Sequence, residues 1–150
     1  MDESLRLCLA LKNKFFLADV YTYLAELALW EREVAQAEHW LAQSLNQQAD
    51  PHRSTIFQVT RLFVAARLAT LQGQYQRAAT LFGLAEAAHS HIHDAVAGPM
   101  RALADAALAT VGGPLGAALD PTDFAESFAA GQRLSLAEAF ATILVPADAA

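Results

Sequence analysis

Sliding the 150-residue chain against itself by 41 residues lays one apolar pattern on another, and this offset constrains the fold more than any other feature. Tyr21 falls on Leu62, Leu24 on Ala65, Ala25 on Ala66 and Ala28 on Ala69. Further on, Val34 falls on Tyr75, Ala37 on Ala78, Leu41 on Phe82 and Ser44 on Ala85. Each block reads as two helices joined by a short turn. The small residues carry the most information. Two helices cross closely only where side chains are small, so Ala25 with Ala37, and Ala66 with Ala78, mark the insides of two tight hairpins.

The rest of the chain also reads as helix. Alanine and leucine dominate, and apolar residues recur at three and four. No stretch alternates at period two, so an all-α fold of about eight helices is expected. The punctuation agrees. Asp50-Pro51 and Asp120-Pro121 each place a capping carboxylate before a proline suited to a first helical turn. Gly73 ends one helix and permits a sharp turn. Gly98-Pro99 and Gly112-Gly113-Pro114 break the pattern, and Gly131 is expected to end a helix. Ser135-Leu136-Ala137-Glu138 has the spacing of a capping box and opens a last helix with Leu136, Phe140, Ile143 and Leu144.

Within the second block the order is Leu62-x-x-Ala65-Ala66-x-x-Ala69, Gly73-x-Tyr75, then Ala78-x-x-x-Phe82 and Ala85. This resembles the tetratricopeptide repeat, whose usual length is about 34 residues. The first block departs from it at the turn, where Arg32 stands in place of glycine. A longer loop around Asn46 to Arg53 absorbs the extra length. The resemblance implies a tetratricopeptide-like α-α superhelix over residues 1–150, with repeat units at about 14–50 and 54–93 and capping helices at about 95–145.

A wider resemblance rests on the order of three stretches. Arg77 to Ala88 (RAATLFGLAEAA) comes first. A phenylalanine-alanine helix follows at Phe124 to Ala130, then a glycine-containing turn at Gly131 to Leu134 and a serine-capped helix at Ser135 to Leu144. That order is similar to the C-terminal helical region of LuxR-type, MalT-like regulators and signalling ATPases of the STAND class in bacteria. It implies a sensor or scaffold arm of a longer polypeptide. No GxxxxGK[ST] phosphate loop appears in the chain, and no basic recognition helix.

Composition limits the alternatives. The net charge is -6, and the ten basic residues are scattered, which argues against a nucleic-acid face. No apolar run reaches the roughly 18 residues a membrane span needs. Asp2 and Glu3 stand where a secretory leader would be basic, so a cytoplasmic location is expected. Cys8, among leucines, reads as an inert thiol.

No residue set stands out as catalytic, so the chain is expected not to be an enzyme and to need no cofactor. Helical spacing could bring Glu86, His89 and His93 to one side as metal ligands, which defines a small metalloenzyme as the alternative. The plainer reading is the polar end of a helix. In tetratricopeptide arrays the first helix of each pair lines a concave groove. By that resemblance Asp19, Thr22, Glu26 and Trp30 line it from one repeat, and Thr60, Phe63, Arg67 and Thr70 from the next. Charge for orientation and aromatic area for affinity suit a peptide or protein segment, or a small effector. A free-standing adaptor that forms a homodimer through its end helices is the second reading.

Overall fold

A computed structural model of the protein describes residues 6, 14–47, 55–92, 109 and 111–138. Among them every regular element is an α-helix. These are α1 (Lys14–Trp30), α2 (Val34–Asn46), α3 (Thr55–Leu71), α4 (Tyr75–Ile92), α5 (111–118) and α6 (Pro121–Gln132). The chain forms two compact units, Met1–Arg53 and Ser54–Ala150. The caps at Asp50-Pro51, the break at Gly98-Pro99 and Cys8 lie outside the described residues.

In the first unit α1 packs along α2. Ala18, Ala25 and Ala37 are fully buried, so the two backbones approach closely, and Leu29, Leu41 and Leu45 close the sides. The interior also holds a polar knot. The Thr22 and Ser44 hydroxyls lie 2.8 Å apart, and each stands 2.8 Å from the Ala18 carbonyl oxygen. Two hydroxyl hydrogens thus serve three contacts, which meets the need of both buried groups for a partner. Midway along the hairpin Tyr21 stacks on Trp40 with ring centres 5.7 Å apart.

In the second unit α3 packs on α4, and α4 packs in turn on α6. Ala66, Ala78 and Ala85 are fully buried. Phe82 is the hub. Its ring lies 6.4 Å from that of Phe63 on α3 and 5.7 Å from that of Phe128 on α6. It also lies against Gly112 of α5, where an added Cβ would come within 3.0 Å of Cζ.

The turns of the two hairpins match bond for bond. After α1, Glu33 N–H donates to the Ala28 carbonyl (2.8 Å) and Arg32 N–H to that of Leu29 (3.3 Å). After α3, Gln74 N–H donates to Ala69 (2.9 Å) and Gly73 N–H to Thr70 (3.1 Å). Both are the helix-ending motif that needs one residue at positive φ. Gly73 supplies φ 75°, and Arg32 takes φ 61° despite its side chain.

Two breaks expected from the sequence are corrected. Gly112, Gly113 and Pro114 lie inside helical residues 111–118. Burial of Val111 and Leu115, one turn apart, holds this segment helical, and Gly112 leaves room for Phe82. Gly131 does not end its helix either, since α6 runs on to Gln132. A Cβ there would collide with the Thr80 carbonyl, and one at Gly83 with the Phe128 carbonyl. The two glycines therefore let α4 and α6 cross backbone to backbone. The expected caps are present. Asp120 accepts from Thr122 N–H at 2.9 Å with proline next. Glu138 accepts from Ser135 N–H at 2.8 Å, and Ser135 Oγ accepts from Glu138 N–H at 3.3 Å. The Ser135 hydroxyl also donates to the Glu138 carboxylate at 2.7 Å, and this bond together with that from the Ser135 N–H holds the carboxyl below its ordinary pKa of 4.5. The box is therefore intact above that value and weakens as pH falls through the lowered one.

Candidate functional site

The eight residues expected to line a groove do not share one fate. Thr22 and Phe63, which occupy equivalent positions in the two hairpins, are 3% and 5% exposed. Their side chains turn inward, to Ser44 and Phe82 respectively, and offer nothing to a ligand. Both are corrections, and the cause is shared: each sits on the flank of its helix that meets the second helix of its own hairpin. Thr70 is half-buried, and its hydroxyl donates to the Ala66 carbonyl at 2.8 Å. Thr60 and Arg67, two turns apart, are half-buried on α3. On α1, Asp19 and Glu26 are half-buried and one heptad apart, while Trp30 is 63% exposed.

The α1 face carrying Trp30 is richer than the sequence reading anticipated. Phe16 is 61% exposed, Tyr23 49% and Leu27 41%. With half-buried Val20 they follow the spacing 16, 20, 23, 27, 30, the alternating four and three of a coiled-coil seam. The stripe faces away from α2, because the α1 residues buried in the hairpin are Ala18, Thr22, Ala25 and Leu29 on the opposite side. Asp19 and Glu26 run along one edge of the stripe, and Leu24 lies on the other. Aromatic residues seven apart (Phe16, Tyr23, Trp30) were the available signal. It was hidden because α1 is apolar nearly all round.

The 41-residue offset gives this stripe a counterpart on α3: Phe57, Arg61, Val64, Leu68 and Leu71. There the outcome differs. Arg61, Val64 and Leu68 are 0%, 4% and 6% exposed, Phe57 is half-buried, and Leu71 is the sole exposed member at 41%. The acids change as well, with Thr60 in the place of Asp19 and Arg67 in the place of Glu26.

The histidine-rich end of α4 gives a metal little to hold. His89 is 5% exposed, and the Glu86 carboxylate accepts from Gln132 Nε2 of α6 at 3.1 Å. His93 lies outside the described residues. Among the described residues no group of three or more histidine, cysteine, aspartate or glutamate side chains could seat an ion, and no helix is long and apolar enough to cross a membrane. Comparison with protein-family models, with curated proteins and with solved structures returns no match.

Proposed function

We propose that this chain is a non-catalytic interaction module: a tetratricopeptide-like helical array that holds a protein or peptide segment against the first helix of a hairpin. The observation that carries the reading is the α1 face, where Phe16, Tyr23, Leu27 and Trp30 are exposed together in one line beside Asp19 and Glu26. Soluble domains scatter exposed apolar residues singly, and a contiguous line of large ones marks a place of association. Aromatic anchors with a charged edge are what partner surfaces use for affinity and orientation.

The repeat reading is supported by the turn hydrogen bonds, which recur at the same 41-residue offset as the apolar pattern. The setting we favour is a bacterial transcriptional regulator or signalling ATPase, in the cytoplasm. Support for it comes from the packing of α4, with its RAATLFGLAEAA stretch, directly on the phenylalanine-alanine helix α6. In such a protein, binding at this arm would bias the remainder between states.

Selection of displayed random peptides against the full chain tests the reading. Enriched peptides should bind the wild type and lose binding in Trp30→Ala, while Glu126→Ala, an exposed change on α6, leaves it intact. A selection that enriches nothing, or peptides indifferent to Trp30, would defeat it.

A further inference from the structure

The stripe on α1 has a chemistry that narrows its occupant. We infer that it docks an amphipathic α-helix of about three heptads whose apolar seam meets Phe16, Val20, Tyr23, Leu27 and Trp30, and whose lysine- or arginine-bearing edge meets Asp19 and Glu26. The inference rests on the interaction reading above and adds the class of partner.

Three observations lead there. The spacing of four and three along α1 is the pattern that a second helix, lying lengthwise, fills knob by knob. An extended strand, with its period of two, would meet only part of it. Next, the equivalent line on α3 is buried at Arg61, Val64 and Leu68, so this register of the repeat can be packed over by polypeptide. Last, the charge is one-sided. Residues 14–47 carry five acidic residues (Asp19, Glu26, Glu31, Glu33, Glu38) against two basic ones (Lys14, Arg32). Asp19 and Glu26 occupy successive positions beside the seam, where coiled-coil partners place complementary charges.

The same charge argues against a second copy of this chain. Antiparallel pairing of two α1 stripes would set the Asp19 and Glu26 edge against itself. Parallel pairing would set Glu26 against Glu31 of the other copy. Like charges facing across a seam select against that pairing. A basic-edged helix meets no such obstacle, and the net charge of -6 speeds its approach.

The test uses the full chain with Trp40→Phe, which leaves Trp30 as the single tryptophan reporter, and isothermal titration of the wild type as a check that does not depend on that change. The probes are three synthetic 21-residue peptides with leucine seams: one edged with lysine and arginine, one with glutamate, and one scrambled from the first. The basic-edged peptide should shift Trp30 emission to the blue and bind at least ~10-fold more tightly than the glutamate-edged one. Asp19→Asn with Glu26→Gln should remove most of that preference, as should raising the salt. Tyr23→Ala with Leu27→Ala should remove binding of every probe.

Equal binding of basic- and glutamate-edged peptides would overturn the charge assignment. Sedimentation showing a dimer that Tyr23→Ala dissolves would put a second copy on the stripe and overturn the inference. If no designed peptide binds while displayed peptides still bind through Trp30, the helical partner is wrong and the interaction reading survives. If neither class binds, both fall.

Discussion

The two hairpins share a turn and differ in almost everything their side chains touch. After α1 and after α3 the same backbone groups close the same motif at 41 residues' separation. One hairpin uses Gly73 at the left-handed position and the other uses Arg32. Inside, the first joins its helices through the Thr22, Ser44 and Ala18 oxygens. The second puts Phe63 and Ala85 at those places and fills the space with Phe82. Outside, the first exposes a line of large apolar side chains that the second buries. The backbone path thus depends on a few hydrogen bonds and tolerates exchange, whereas the use of each face follows from side chains alone.

The largest effect should come from breaking the hub of the second hairpin. Phe82→Ala removes the ring that meets Phe63, Phe128 and Gly112, and should cost about 3–5 kcal/mol in equilibrium denaturation followed by circular dichroism. The corresponding polar knot in the first hairpin should be worth less. Thr22→Val keeps the volume and removes one hydroxyl, while Ser44 keeps the Ala18 carbonyl as acceptor. A loss of about 1 kcal/mol is expected by the same method. The turns should give effects no larger than that, opposite in sign. Nothing lies within 4 Å of a Cβ placed at Gly73, so Gly73→Ala should cost about 1 kcal/mol through backbone conformation alone. Arg32→Gly should relieve a similar strain and raise the melting temperature. A gain at Arg32 without a loss at Gly73 would show that the two turns are not equivalent.

The hairpins were legible in the sequence because burial of small residues repeats: Ala25, Ala37, Ala66 and Ala78 are all fully buried. The caps at Asp120 and Ser135 were legible because they are local. The roles of Gly112 and Gly131 are not legible in the sequence, since a glycine that ends a helix and one that admits a neighbouring group look alike until the neighbour is known. For the residues expected in a groove, spacing leaves open which flank of α1 and α3 meets the second helix, and that flank decides the burial of Thr22 and Phe63, while Trp30 is exposed and Asp19 and Glu26 half-buried. Phe16, Tyr23 and Leu27 were missed because exposure is a property of what lies opposite.

The central claim is that the same register is exposed along α1 and packed along α3. Leu27→Ala and Leu68→Ala are equivalent substitutions in that register, so the most direct measurement is their effect on stability, read helix by helix from amide hydrogen exchange of the full chain. The account predicts a loss of about 2–5 kcal/mol at Leu68 and under ~1 kcal/mol at Leu27. Losses of equal size would mean that the chain itself covers the α1 stripe in solution, and would contradict a docking surface there.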